Sequence, residues 1–329
     1  MSDLNHLNKS VLSLCVLAAV GVAGPGAALA KDYPAKPIEL IVPAGAGGST
    51  DLSARVFAKH AQKKFGKPVV IVNIKGAGGY TGSKTVYDSA PDGYKVLYTH
   101  AGIVTNNVTN TAPYSYDGFK VGPTVIEDPS LALFVGGQSG MKTLGDLIAK
   151  AKAEPGKLKT ATEYGAFTYF MLLKLQKEQG IQLNLVDVGG DADKTVALLG
   201  GHVDVMPKVY LGTEDYIDAG DFTVLGVAQA KRAPNAPKVP TFKETGIDFE
   251  YHEYPFTIFF QKDTPQAVID AWIKIAQEVA ADPTYQKDVE KLGMVPVYKS
   301  PEEAAKNFAA MQAEFVELAK EKAEVAGQK

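Results

Sequence analysis

Short apolar runs alternate with segments of helical period along most of the chain. Ile38-Glu39-Leu40-Ile41-Val42 reads as a buried strand, and from Leu52 to Phe65 the positions Leu52, Val56, Phe57 and Ala61 fall on one helical stripe that stops at Gly66 before Pro68. The apolar run at Val69 is a second strand. A helix near Thr81 to Ser89 follows, closed by the turn sequence Pro91-Asp92-Gly93 ahead of a third strand at Val96-Leu97-Tyr98. The middle of the chain repeats the alternation. Thr143-Leu144-Gly145-Asp146 is a capping box opening a helix that Pro155-Gly156 closes, and strands near Lys159 to Thr162, Leu183 to Val188 and Phe222 to Ala228 are separated by helices closed at Gly180 and Gly200-Gly201. The last quarter is helical, with starts at Thr264-Pro265, Asp282-Pro283 and Ser300-Pro301-Glu302-Glu303, each read as placing proline at the first helical position. Strand and helix in alternation predict an α/β fold.

Two of the strand-to-helix turns share one device. The first strand runs into Pro43-Ala44-Gly45-Ala46-Gly47-Gly48-Ser49-Thr50-Asp51, and the second into Asn73-Ile74-Lys75-Gly76-Ala77-Gly78-Gly79. Clustered glycines let backbone approach a bound group closely, and Ser49, Thr50 or Asp51 are candidate caps for the helix that follows. A helix N-terminus attracts anions. If the two strands lie parallel, both loops emerge at the carboxyl edge of one sheet and their amides converge on one small anion. The glycine spacing misses the dinucleotide fingerprint, because Thr50 stands where its last glycine belongs, and Ser83 before Lys84 breaks a P-loop pattern. No cofactor is expected. The third strand delivers Thr99-His100-Ala101-Gly102 to the same edge, which makes His100 a candidate anion contact, with a local backbone bond as its other reading.

Pro43 to Asp51 resembles the P-x-x-x-G-G-x-T-D loop of the Bug/TctC family, the extracytoplasmic solute receptors of tripartite tricarboxylate transporters, and Asn73 to Gly79 resembles its N-x-x-G-A-G-G loop. Ala90-Pro91-Asp92-Gly93-Tyr94, Leu198 to Val205, Ala230-Lys231-Arg232 and Val239-Pro240-Thr241 match in the same order. The resemblance implies a two-lobed type II periplasmic binding protein, a Venus flytrap with a mainly parallel, helix-flanked sheet in each lobe. It also implies capture of a carboxylate for membrane permease subunits. The expected lobes are 31–132 with 254–329, and 133–253. The first crossover between them is expected near Asn106 to Lys120 and the return around Tyr251 to Gln261, with the C-terminal helices packing back on the first lobe. On this resemblance the ligand contacts are Ala46, Gly47, Gly48, Ser49, Thr50 and Asp51 from the first loop, Gly76, Ala77, Gly78 and Gly79 from the second, and His100. Tyr164, Gly190 and Asp191 stand where the second lobe's loops face the cleft. Both of those loops depart from the family's usual pattern, which leaves the far end of the ligand open.

Lys208 is a further departure, where many family members carry an acidic or small residue. Read as lying just past the strand Val203-Asp204-Val205-Met206, an inward Lys208 favours a second carboxylate on the ligand, and an outward one is a solvated surface lysine.

Composition narrows the alternatives. Lys9 precedes an uncharged run from Val11 to Ala23 that leads to Ala28-Leu29-Ala30, a small-x-small site, so a secretory signal cleaved after Ala30 and periplasmic export are expected. The single cysteine, Cys15, follows Leu14, which is too large for a lipoprotein site. A net charge of −3 and the absence of a basic run argue against nucleic acid, and a monomer is expected. Catalytic parts are missing: there is no G-x-S-x-G elbow, and His60, His100, His202 and His252 show no metal-binding spacing. A receptor for a signalling partner has the same fold and remains the alternative to a transport receptor.

Overall fold

A computed structural model of the chain describes residues 33–327. The signal sequence, its cleavage site and Cys15 lie outside the described residues. The first lobe begins with β1 (Ile38–Val42), α1 (Ser49–Phe65), β2 (Val69–Asn73), α2 (Tyr80–Tyr87), β3 (Lys95–Thr99), α3 (Gly102–Val108) and β4 (Phe119–Asp128). The second contains β5 (Leu131–Gly136), α4 (Leu144–Ala153), β6 (Lys159–Thr162), α5 (Phe167–Gln179), β7 (Asn184–Asp187), α6 (Asp191–Leu199), β8 (Val205–Val209), α7 (Glu214–Asp218) and β9 (Phe222–Val227). The chain then returns through β10 (Tyr254–Gln261), α8 (Gln266–Ala280), α9 (Pro283–Glu290), β11 (Val295–Lys299) and α10 (Pro301–Gly327).

The strands form two sheets, in the orders β11-β4-β10-β3-β1-β2 and β7-β6-β8-β5-β9. Both are mixed rather than mainly parallel. β1 pairs in parallel with β2 and β3, but β10 runs antiparallel to β3 and β4, and β5 antiparallel to β8 and β9. The antiparallel strands are those that carry the chain between lobes or continue directly from a crossing. β4 ends the first pass through one sheet, Pro129 and Ser130 cross, and β5 opens the other. The crossover therefore falls after residues 106–120, the stretch in which it is expected from sequence. Part of that stretch is not surface connection: Asn106 and Asn107 belong to α3, and Tyr114 is buried with its hydroxyl 3.2 Å from Ser83 Oγ.

The first lobe packs α1, α8 and α9 on one face of its sheet, where Phe57, Tyr98, Trp272 and Tyr285 are fully buried. Burying each such ring stabilises the fold by about 1.5–3 kcal/mol. α8 and α9 do pack on the first lobe, but α10 bridges both. Its Phe308 packs edge-on to Phe259 of the first sheet, while Phe315 stacks on Phe170 of α5 at 4.5 Å. One apolar cluster thus runs from Leu97 and Phe259 through α10 to Leu133 and Phe170. Starts also differ in detail. Pro265 is the N-cap of α8, whereas Pro283 and Pro301 occupy first helical positions. The Thr143 capping box forms as the sequence predicts, with Thr143 Oγ1 accepting from Asp146 N and Asp146 Oδ2 from Thr143 N.

Candidate functional site

Because β1, β2 and β3 are parallel neighbours, the loops that leave them share one edge of the sheet. Gly45 to Gly48 and Gly76 to Gly78 are exposed there. Helix α1 starts at Ser49, with Gly48 as N-cap and no side-chain cap, so neither Ser49, Thr50 nor Asp51 caps it. Asp51 instead organises the loops. Its Oδ2 accepts from Gly47 N at 2.8 Å and Arg55 Nε at 2.9 Å, and its Oδ1 from Asn73 Nδ2 at 2.9 Å. The same Asn73 amide donates to Ala44 O, tying the end of β2 to the first loop. Burial pushes the Asp51 carboxyl up, but bonds from Arg55, Gly47 and Asn73 outweigh it and hold the group below its ordinary value. With both oxygens engaged and 2% of its side chain exposed, Asp51 frames a first loop whose glycines are exposed and whose Ser49 is partly so.

The second loop is held as tightly. Gly76, Ala77, Gly78 and Gly79 all have positive φ, a run that only glycine enters freely, with Ala77 at 45° the one exception. Gly79 leaves room for Pro43 O, which would lie 3.1 Å from a Cβ there, and so the two loops touch. Asn106 of α3 donates its amide to Gly78 O at 3.0 Å. Asn106 is not legible as a site residue, because its role depends on α3 folding back over the second loop.

His100 stands at the end of β3 with both ring nitrogens occupied. Nδ1 accepts from Gly102 N at 3.1 Å, so the neutral ring carries its proton on Nε2 and donates it to Tyr254 Oη at 3.1 Å. Burial pushes the imidazole down to about 4, and the nearby Asp191 charge offsets part of that fall. His100 is therefore an uncharged brace for the third loop, and Tyr254 joins it at the cleft.

The second lobe mirrors the device. Asp187 at the end of β7 accepts from Tyr164 N and Gly189 N, each at 3.1 Å, and so joins the loops that precede α5 and α6. Tyr164 is 68% exposed beside Tyr169, and Gly190 and Asp191 form the start of α6. The two lobes meet at this point: a Cβ on Gly165 would come within 2.6 Å of Thr109 Cγ2, and Phe167 packs on Tyr254 at 4.9 Å. The Asp191 charge acts on His100, Tyr254 and Asp128 at the border of the first lobe and on Lys208 in the second, so it lies near both.

Lys208 lies inside β8, paired with Ala132, rather than just past a strand; Pro207 is tolerated in β8 and sits opposite Leu133 of β5. Among the described residues it has no ion pair. Burial lowers its ammonium pKa, the fields of Asp191 and Glu214 counter this, and that of Lys194 adds to it. Lys194 itself is 2% exposed and bonds Thr168 Oγ1 and Asp191 Oδ1. The sequence does not reveal it.

Two buried titrating groups at this border give opposite pH dependences. Unfolded histidine takes up a proton near pH 6.5 and His100 only near 4, so the stability it secures is complete above about 6.5 and is lost as pH falls toward 4. Asp128 is pushed by burial up to about 6, Ser130 opposing the shift and Asp191 adding to it, so its penalty is full above about 6 and is relieved as pH falls toward 4. Each effect is on the order of 3 kcal/mol at most, and they oppose each other between pH 6 and 4. Asp128→Asn should remove the relief alone. Differential scanning calorimetry of the variant should show a steeper loss of Tm from pH 6.5 to 4.5 than wild type; parallel curves would contradict these assignments.

A groove of about 670 Å³ is elsewhere. It lies beside the crossing segments and is lined by Glu127, Lys231, Arg232, Glu253 and Lys299 among others, with none of the glycine-loop residues. The loop amides and the helix N-terminus at the sheet edge are suited to an anion, and among the described residues Lys208 has no ion pair.

Two α/β lobes joined by two crossings, with glycine loops at the sheet edge of one, have the architecture of a solute-binding receptor. The family model described as "Tripartite tricarboxylate transporter family receptor" matches residues 53–322, and the chain belongs to that family. It is 32% identical over 298 residues to a UPF0065 protein in the gbd 5' region of Cupriavidus necator, covering 89% of each chain. Among solved structures, the periplasmic binding protein BugD superposes with a TM-score of 0.74 at 29% identity, covering 88% of this chain and 98% of that one. MatC from Rhodopseudomonas palustris, solved with bound malate, has the same fold, with a TM-score of 0.75 at 23% identity over 87% of this chain and all of that one (100%). Receptors of this family and fold are not enzymes.

Proposed function

We propose that the protein is exported to the periplasm, cleaved after Ala30, and captures a small di- or tricarboxylate as a monomer for the permease subunits of a tripartite tricarboxylate transporter. The observation that carries this reading is the convergence of the two glycine loops at one sheet edge. One ligand carboxylate is held by the amides and hydroxyls of Gly48, Ser49, Thr50 and Gly78, directly or through ordered water, while Ala46, Gly47, Gly76, Ala77 and Gly79 shape the loops; the Gly47 and Gly79 amides, expected from sequence to hold it too, already donate to Asp51 Oδ2 and Gly76 O. Neutral donors suffice, since each hydrogen bond to a charged group contributes about 1.5–3 kcal/mol. The malate bound by MatC is a dicarboxylate, which accords with this reading.

The far carboxylate pairs with Lys208. Asp191 already bonds Lys194, so it offers a ligand less charge than Lys208, which has no ion pair among the described residues. A thermal-shift screen over mono-, di- and tricarboxylates and amino acids tests the class, because a ligand that binds only the folded state raises its stability with concentration. Lys208→Ala should weaken the best dicarboxylate by about 10- to 100-fold and leave a monocarboxylate of similar length nearly unchanged, taking about 1.4 kcal/mol per decade. Equal dicarboxylate affinities of variant and wild type in calorimetry would remove Lys208 from the site.

A further inference from the structure

Lys194 is a buried charge that the capture of a carboxylate by the loops and Lys208 does not use. Its side chain is 2% exposed, an unusual place for lysine. An ammonium has three donors. Here one goes to Thr168 Oγ1 at 3.2 Å and one to Asp191 Oδ1 at 3.3 Å, and among the described residues the third has no protein acceptor. The bond to Asp191 is long, since charge-assisted N–H···O bonds ordinarily measure about 2.7–2.9 Å. Asp191 is itself half exposed, at 50%, so it partners the ammonium without being buried over it.

The surroundings of Lys194 are positive as well. Thr168 is in the first turn of α5 and Asp191 opens α6, so the ammonium lies beside two helix N-termini. The Lys194 charge also acts on Lys208, which puts the two ammonium groups in one neighbourhood. A desolvated cation in such a place is costly without an anion, and one loosely bonded, half-exposed carboxylate is all the chain supplies.

We propose that Lys194 is a second contact for the ligand's far anionic group, and that Asp191 is a built-in counter-ion holding that position until the ligand displaces it. The inference rests on the carboxylate reading above and deepens it: Lys208 attracts the second carboxylate, and exchange with Asp191 lets it reach Lys194. Asp191 then sets specificity by competition. A solute with one carboxylate cannot make the exchange and does not feel it, whereas every dicarboxylate must overcome it.

The test is calorimetric binding of unbranched four- to six-carbon dicarboxylates and of butyrate to hexanoate by wild type, Asp191→Asn and Asp191→Asn/Lys194→Met. Asp191→Asn keeps the shape and removes the competing charge. It should tighten dicarboxylate binding by about 5- to 30-fold and leave the monocarboxylates within about twofold, and the added Lys194→Met should abolish the gain. The double variant loses both charges together, so no buried ion is left unpaired, and near-ultraviolet circular dichroism checks its fold. Unchanged or weaker dicarboxylate binding by Asp191→Asn overturns the proposal. So does an amino acid that binds wild type and weakens in the variant, because Asp191 would then be the partner of its ammonium. If no carboxylate binds any form, the carboxylate reading fails separately, and inorganic sulfate becomes the probe. Greater thermal stabilisation of Asp191→Asn than of wild type, lost on adding Lys194→Met, supports the exchange, and equal stabilisation of all three refutes it.

Discussion

Gly78→Val should lower carboxylate affinity by at least ~100-fold, the loss expected when two charge-assisted hydrogen bonds go. Gly78 has a φ of 61°, a conformation in which a β-branched residue is a genuine outlier, and a Cβ added there would lie 2.8 Å from Asn106 Oδ1. That Asn106 side chain cannot simply rotate away, because its Nδ2 donates to Gly78 O. The loop must therefore change course, and its amides leave the carboxylate. The backbone strain costs about 1–3 kcal/mol of stability, small enough for the variant to remain folded for measurement. Thr50→Ala is the contrast: Thr50 is buried in the first turn of α1 and the variant keeps every loop amide, so its loss should stay below about tenfold, that of one hydrogen bond. Calorimetry of both variants decides the matter, and near-normal binding by Gly78→Val would make the second loop a structural turn only.

The largest stability effect is expected at Asp51. Asp51→Ala strands three donors at once: Gly47 N, Arg55 Nε and Asn73 Nδ2. Removing one partner of a buried charged network costs about 3–5 kcal/mol, and the half-exposed Arg55 guanidinium, which can return to water, puts the expectation at the lower end. Asp51→Asn should be nearly as harmful, because its amide NH₂ would face a donor on one side or the other. Urea unfolding measures both. A cost below about 1 kcal/mol for either would show that the two loops hold their shape without this carboxylate. The substitutions should also impair binding, since Gly47 and the end of β2 would no longer be tied together.

The glycine loops were legible because their signal is local. Glycines between an apolar run and a helical stripe specify a strand, a close turn and a helix start, and parallel pairing of β1 with β2 brings the two turns together. The family followed from the same residues. What escaped the sequence depends on segments far apart in the chain. The antiparallel β10 and β11 complete the first sheet only after the excursion through the second lobe, and nothing in their apolar runs records which neighbour they join. Asn106 reads as loop because its amide finds Gly78 only after α3 folds over.

Helix α6 shows a sharper failure. Val196 and Leu199 are 66% and 45% exposed while Lys194 is buried, the reverse of the pattern that assigns apolar residues to the core and lysine to water. Such a local inversion is expected where a site overrides packing. His100 was legible as a polar residue at the sheet edge but not as a neutral brace, since that depends on Tyr254, a residue from the return crossing.

A crystal structure grown with a four- to six-carbon dicarboxylate tests the central claim most directly. The account predicts one carboxylate within hydrogen-bonding reach of the Ser49 and Thr50 region of the first loop and the Gly78 amide of the second, directly or through one water, with the far group beside Lys208. Ligand seated instead in the groove beside the crossing segments, between Glu127, Lys231 and Lys299, would contradict it.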